Sequence, residues 1–451
     1  MNSNALKTDL YELTMAAGYF QNRFNPRATF ELYCHTLPKS RAYLVACGLA
    51  QVIEYILHLQ FSTEEVRFLK SLPVFKGVET KFFDYLRHFK FSGDVWAMEE
   101  GEICFANEPI LQIEAPIIEA QILETYLLSV MNIETLVATK AARVVGAAGS
   151  DGVRRSVVDF GSRRAHGPQA GVLAARAAYV GGCAGTSNVF AGKEFGIPIF
   201  GTMAHSWVQA LTPEENAFAK YYAVFPRSTT LLIDTYDTLS GAKKAAALGR
   251  DIKGVRLDSG DILQLSRRVR KILDKEGLEH VKIVASGNLN EYKIRDLIDG
   301  GAPIDVFGVG TDMVVARDAP ALDLTYKLVQ IQDKQGKIKY TAKRSQGKHS
   351  VPGREQVFRR FNAKGRMAQD IISLTQEQPP KGSQSLLKPV ITDGKLRMSL
   401  PLLDQTRQKV QRTLGVLPPG CLRILASARW NYRVEYSPAI RRLQRQFEKN
   451  H

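Results

Sequence analysis

Histidine, carboxylate, guanidinium and small hydroxyl side chains gather in this chain just beyond short apolar runs, in groups dense enough to do chemistry. GTMAHSWVQA (201–210) puts Thr202, His205, Ser206 and Trp207 behind the apolar run IPIFG. A lone histidine is more often a structural hydrogen-bonding group. One set among hydroxyls beyond a strand is available for chemistry, in the simplest case as a general base. RLDSGD (256–261) places Arg256 and Asp258 two apart, so on a strand they share one face. Charges on an inward face need partners, which makes a ligand role the natural reading, while Asp261 reads as a helix cap. DFGSRRAHG (159–167) brings Asp159, Arg163, Arg164 and His166 to a glycine turn, which suits carboxylate or phosphate recognition or a surface arginine pair making ion pairs. DTYDT (234–238) offers Asp234 and Asp237, either to organise Mg²⁺ through water or to cap the next helix. ASGN (285–288) and GVGT (308–311) are runs of small residues whose backbone N–H groups can approach phosphate oxygens.

These groups have their meaning from the elements that carry them. From about 155 to 312, short apolar strands alternate with helical runs. Strands are predicted at 156–160, 181–185, 197–201, 231–235, 254–258, 282–286 and 305–309, and helices at 166–180, 239–250, 261–277 and 289–301. Repeated βα units imply a parallel sheet covered by helices, and seven strands favour a closed or nearly closed barrel whose strand C-terminal ends form the active face. Before it, residues 1–135 mix both patterns: a helix over 8–20 with Thr8 as cap, a half-buried strand at 28–35, and a capping box at Ser62–Glu65. The helical stretch 117–148 is expected to break near Met131–Glu134. The predicted organisation is 1–135, a barrel over 136–330, and a basic region 331–451 whose apolar segments LLKPVI and RILASARW return as strands and a final helix to the N-terminal part.

The chain has 451 residues and a formal net charge of +16, with 45% hydrophobic and 24% charged residues, which excludes wholesale disorder. Its N-terminus, MNSNALKTDLYELT, does not read as a signal peptide, and no uninterrupted apolar run suggests a membrane span, so a cytoplasmic protein is expected. Five scattered cysteines without a C-x-x-C pair argue against a disulfide framework or zinc site. From residue 331 onward lie 25 of the 61 basic but only 8 of the 45 acidic residues, so the basicity belongs to the C-terminal region. That region reads as a solvated basic surface or as help for anionic substrates; without an RNA or DNA motif, nucleic acid is not expected as a partner.

TDLYELTMAAGYF, DFGSRRAHGPQAG, GTMAHSW, LLIDTYDT, GVRLDSGD, GVGT, and YKLV followed by GKHSVPGREQV resemble nicotinate phosphoribosyltransferases, in the same order, from about residue 8 to about 360. RILASARWNYR extends the resemblance. The resemblance implies an α/β fold: an N-terminal α/β sandwich completed by C-terminal elements, and an irregular, TIM-like α/β barrel. It implies a homodimer that joins nicotinate to 5-phosphoribosyl 1-diphosphate, with ATP hydrolysis coupled and Mg²⁺ required, as the first step of NAD salvage from nicotinate. Carried over residue by residue, it assigns Tyr11, Phe160, Arg163, Thr202 and Arg256 to nicotinate, Tyr11 reaching into the neighbouring subunit's site. It assigns Gly287, Gly310 and Thr311 to the 5′-phosphate, Asp258 to the ribose, and His205 to phosphorylation by ATP; the Mg²⁺ ligands stay unassigned. Nicotinamide and quinolinate phosphoribosyltransferases are the nearest alternatives, and the Arg163–Arg164 pair favours an acid over an amide.

Overall fold

The structure, a computed structural model, describes residues 5–249, 251–343, 350–424 and 432–450. Parts of GKHSVPGREQV and most of RILASARW therefore lie outside the described residues. The chain forms two compact units: Met1–Thr135 with Ala321–Cys421 and Ala428–His451, and Leu136–Pro320 with Leu422–Ser427.

In the second unit, six parallel strands lie in the order Gly185–Thr186, Ser156–Asp159, Val306–Val309, Lys282–Ala285, Gly254–Leu257, Thr230–Leu232. Val157, Val158, Leu231, Leu232, Val255 and Leu257 are all buried, as expected where helices cover both faces of a parallel sheet. Helices Pro168–Val180, Thr238–Ala246, Ile262–Lys275 and Glu291–Asp299 alternate with the strands, close to their expected spans. Two predicted strands shrink. The run at 181–185 becomes Gly185–Thr186, because Gly181 and Gly182 turn the chain out of the preceding helix, Gly182 at φ +117°. The run at 197–201 keeps one bridge, Thr186 to Ile199.

In the first unit, a seven-stranded antiparallel sheet runs Ile338–Tyr340, Leu324–Gln332, Arg27–Cys34, Pro109–Pro116, Asp94–Met98, Leu387–Thr392, Lys395–Leu396. A second sheet holds Gln384–Ser385, Glu355–Phe361, Met367–Leu374 and Val434–Tyr436. LLKPVI is thus a strand, paired with Asp94–Met98. The strand at 324–332, grouped with the barrel on sequence, pairs with Arg27–Cys34 in this unit. Arg27–Cys34 is not half-exposed as its alternation suggested. Glu31 on its polar face is itself buried and accepts from the Gln112 amide (2.6 Å) and the Glu355 backbone N–H (2.8 Å).

Local signals fared unevenly. The Ser62–Glu65 capping box forms. Thr8 does not cap its helix, which starts at Leu10 after Asp9; its hydroxyl donates instead to the buried Glu12 carboxylate at 2.7 Å. The break expected near Met131–Glu134 falls at Ile122–Leu123, and Glu124–Ala148 is one helix. Asn132 does not disturb that helix, because its side chain pairs with the backbone of Leu322 (3.1 and 3.3 Å). Ile117–Ala148 is apolar enough by composition to cross a bilayer, but 61% of its most apolar window is buried in the protein. All five cysteines are buried, none in a disulfide.

Candidate active site

The site residues of the second unit stand at or beyond the ends of its parallel strands, except Thr202 and His205, which follow the single bridge at Ile199. Val255 and Leu257 anchor Gly254–Leu257 in the core, so Arg256 between them is held half-buried at the strand end. Its guanidinium donates to the Thr202 hydroxyl (2.5 Å) and the Met203 carbonyl (3.4 Å), and lies 3.6 Å from Asp258 Oδ1. Its Nε has no hydrogen-bond partner among the described residues. Burial lowers the guanidinium's pKa, opposed by Asp258 and Asp234, while the charge of Arg163 lowers it further. Arg163 is exposed on the short turn Ser162–Arg164, within electrostatic reach of Arg256.

His205 opens the helix His205–Ala210, which is pinned by the buried Val208 and by the Trp207 indole N–H donating to the Ala217 carbonyl at 3.0 Å. Its Nδ1 faces the Thr235 hydroxyl at 3.1 Å and its Nε2 faces Asp258 Oδ2 at 3.8 Å. Asp258 is therefore the hub, set between Arg256, His205 and the Ser286 hydroxyl, which donates to its Oδ1 at 2.5 Å. Buried Asp234 supports it from the next strand by accepting from the Asp258 backbone N–H (2.8 Å) and the Ser259 hydroxyl (2.7 Å). The other oxygen of Asp234 is buried and has no hydrogen-bond partner among the described residues.

The glycines admit close approach at this face. Gly287 has φ +91°, and a Cβ there would come within 1.9 Å of the Asp258 carbonyl oxygen, so no other residue fits without moving the strand. The Phe160 ring packs on Gly308, where a Cβ would meet ring carbons at 2.5 and 2.6 Å and Ser286 Cβ at 3.3 Å. Gly310 adjoins the Phe160 carbonyl and leads into the short helix Thr311–Val314. Phe160, Gly308 and Gly310 thus form a second cluster, joined to the Asp258 hub through Ser286.

Thr202, His205, Arg256 and Asp258 come together, with Gly287 touching Asp258; Phe160 and Gly310 meet beside them, and Thr311 follows Gly310. Arg164 and His166 are exposed. Asp159 is not an anion-site residue. It is buried, accepts from the Thr186 hydroxyl (2.7 Å) and the Gly161 N–H (2.9 Å), and braces the Phe160–Gly161 turn, with burial raising its pKa. Asp237 caps its helix by accepting from the Ser240 N–H at 2.7 Å, and Asp261 does the same for Gln264 at 3.1 Å. Tyr11 belongs to the first unit, largely exposed on the helix Leu10–Gln21, its phenol pKa raised by partial desolvation and by the charges of Glu124 and Glu12. Ser286, Thr235 and Ser259 were not singled out on sequence, although each lies inside a motif that was.

The arrangement brings a half-buried guanidinium, an aromatic ring, loops of small residues and a histidine beside a carboxylate together, groups of the kinds that can bind an acid, a ring and a phosphate. Residues 6–132 match the family model described as nicotinate phosphoribosyltransferase (NAPRTase) N-terminal domain, and residues 155–376 that of the nicotinate phosphoribosyltransferase (NAPRTase) family. The chain is 44% identical over 443 residues to nicotinate phosphoribosyltransferase pncB2 of Mycobacterium tuberculosis, covering 97% of this chain and 92% of that protein. It is 42% identical over 388 residues to nicotinate phosphoribosyltransferase of Bacillus subtilis, covering 84% of this chain and 77% of that protein. The crystal structure of human nicotinic acid phosphoribosyltransferase superimposes with a TM-score of 0.82 at 28% identity, over 98% of this chain and 99% of that one. A nicotinate-nucleotide pyrophosphorylase structure from Pyrococcus furiosus gives 0.73 at 26% identity, over 91% of this chain and 95% of that one. Identity at this level along nearly the full length of both sequences leaves one conclusion: the chain belongs to the nicotinate phosphoribosyltransferase family.

Proposed function

We propose that this enzyme forms nicotinate mononucleotide and pyrophosphate from nicotinate and 5-phosphoribosyl 1-diphosphate, with ATP hydrolysis coupled, at the strand ends of its second unit. The observation that carries the reading is the convergence of Arg256, His205 and Ser286 on the single carboxylate of Asp258, with Thr202 held to Arg256. Arg256 and Thr202 receive the carboxylate of nicotinate, Phe160 stacks on the pyridine, and Arg163 adds positive charge nearby. Gly287, Gly310 and Thr311 hold the 5′-phosphate with backbone N–H groups and a hydroxyl. Asp258 faces the ribose.

The pyridine nitrogen is already a neutral nucleophile, so no residue need deprotonate it. Catalysis comes from aligning that nitrogen with the ribose C1 and stabilising positive charge there, the task of the Asp258 carboxylate. His205, its ring oriented by Thr235, accepts a phosphoryl group from ATP. A buried carboxylate oxygen without a hydrogen-bond partner is suited to a hard cation, so Asp234 fits Mg²⁺, with Asp258 beside it. When bound, the ion supplies positive charge against the departing pyrophosphate.

Two wider features belong to the same reading. The sheet of the second unit is an irregular, TIM-like barrel, supported by its last strand pairing beside its first, and the first unit is the α/β sandwich. The enzyme works as a cytoplasmic homodimer, supported by buried thiols outside disulfides and by Val189, Phe190, Ile199 and Phe200, 44–68% exposed. Tyr11 then serves the neighbouring subunit's nicotinate. Mass spectrometry after incubation with ATP tests the central claim, run beside a nicotinate turnover assay. A phosphoryl group on His205, absent from His205→Asn, is expected together with slow ATP-independent turnover in that variant. Unchanged ATP coupling in His205→Asn would refute it.

A further inference from the structure

The helix Glu124–Ala148 carries a lysine, Lys140, that is fully buried. Its ammonium lies 2.6 Å from Glu291 Oε2, 2.8 Å from Asp318 Oδ1 and 4.0 Å from Asp312 Oδ1. One turn on, Arg143 donates to Glu291 Oε1 at 3.1 Å and to the Tyr292 hydroxyl at 3.4 Å. All of these residues belong to the second unit. Their positions along the chain are informative. Glu291 is four residues past Gly287 and begins the helix Glu291–Asp299, while Asp312 follows Thr311 directly. A single cation therefore ties together the far ends of the two small-residue loops, beyond the strand pairing of Val284 with Val306 and Ala285 with Phe307 that sets their near ends.

Stability gives a poor account of this cluster. The helix is anchored around it by buried Leu136, Val137, Ala141, Val144 and Ala148. A buried ion pair contributes little net stability over apolar residues of the same volume, because both ions lose their hydration; its best-attested use is to fix one arrangement of the parts it joins. Phosphate recognition by backbone N–H groups needs such fixing, since the donors must converge on one point, and a misplacement of about 1 Å can cost up to about 10²-fold in rate.

We propose that Lys140, backed by Arg143, is a positioning residue for the phosphoribosyl end of the substrate, holding the Gly287 loop and the Gly310–Thr311 turn in one register through Glu291, Asp312 and Asp318. This rests on the assignment of those loops to the 5′-phosphate. The test is steady-state kinetics on the full chain, varying each substrate in turn, with melting temperature as a check on folding. Lys140→Met raises the KM for 5-phosphoribosyl 1-diphosphate about tenfold or more, moves the KM for nicotinate less than about twofold, and Lys140→Arg recovers most of the loss. Asp318→Asn, whose carboxylate is 24% exposed and whose loss is easier to tolerate, shows the same selective rise in smaller degree and carries the test if Lys140→Met does not fold. Thr311→Ala separates the two levels. If it leaves the phosphoribosyl diphosphate KM unchanged, the phosphate assignment itself is wrong. If it raises that KM while the Lys140 and Asp318 variants shift both KM values equally or neither, the positioning role alone is overturned.

Discussion

Gly308→Ala is a one-carbon perturbation whose size can be worked from the structure. The added Cβ would lie 2.5 and 2.6 Å from two carbons of the Phe160 ring, against an ordinary contact of about 3.5 Å or more. The ring must therefore retreat by about 1 Å, since the Gly308 strand is held between Ser156–Asp159 and Lys282–Ala285 and cannot yield. Overpacking of this kind costs about 1–3 kcal/mol of stability. In the active site the cost is selective. A stacked aromatic pair is worth about 0.5–1.5 kcal/mol beyond area burial, so losing its alignment raises the KM for nicotinate about two- to tenfold. Phe160→Leu weakens stacking by itself but leaves room for the new methyl group. In the double variant the melting temperature recovers part of the Gly308→Ala loss, and the nicotinate effects do not add, as expected for residues in contact. The assay is a double-mutant cycle read in nicotinate KM and in thermal melting. A folded Gly308→Ala enzyme with unchanged nicotinate KM, or a strictly additive cycle, refutes the placement of the pyridine on Phe160.

Other outcomes follow from the same geometry. Arg256→Met removes a charge-assisted contact worth about 1.5–3 kcal/mol, so nicotinate kcat/KM falls about ten- to hundredfold while any slow turnover of nicotinamide changes less; an equal fall for both substrates argues against Arg256 as the carboxylate partner. Arg359, fully buried, holds Asp370 through two nitrogens (2.6–3.1 Å) and Glu102 at 2.7 Å. Arg359→Met leaves the fully buried Asp370 carboxylate without its cation, while Glu102 keeps Lys409 at 3.4 Å, and costs about 3–5 kcal/mol in denaturant unfolding, where a loss below about 1 kcal/mol would contradict the pairing. Burial raises the pKa of Glu31 to about 7 and that of its neighbour Glu355 well above the carboxyl range. A carboxyl that holds its proton longer when folded contributes stability in full below its unfolded pKa of about 4.5, and loses it as pH rises toward the folded value. The melting temperature should therefore decline from pH 5 to 7, with a shallower slope in Glu31→Gln; a parallel slope in that variant refutes the assignment.

How much of this was legible in the sequence depends on the range of the interaction. The βα alternation was readable because each strand in it is a short run that ends at its own turn, and His205, Arg256 and Asp258 were found because each lies in, at the end of or just beyond such a run. The capping box at Ser62 was readable for the same reason, being complete within four residues. Asp159 shows the limit. Its place in DFGSRRAHG grouped it with the arginines that suit anion recognition, but its partner Thr186 lies 27 residues away and turns it into an internal brace. Glu31 fails in a similar way. Strand alternation marks a polar face, yet only pairing with residues as distant as Glu355 shows that this face is buried. Lys140 had no signal at all, since one lysine in a long helix reads as solvent-facing until its carboxylate partners 151 to 178 residues later are placed.

The sheet of the first unit has a consequence for how the protein is made. Arg27–Cys34 needs Leu324–Gln332 as one of its two neighbours, and Asp94–Met98 needs Leu387–Thr392. On a ribosome adding about 5–20 residues each second, these partners arrive many seconds after the strands that await them. The second unit is complete much sooner apart from its short contribution at 422–427, so it has time to fold while the first still presents open strand edges. Such edges are templates for the wrong chain. A nascent protein truncated near residue 320 should therefore aggregate through Arg27–Cys34, and slow synthesis between 135 and 320 lengthens that exposure.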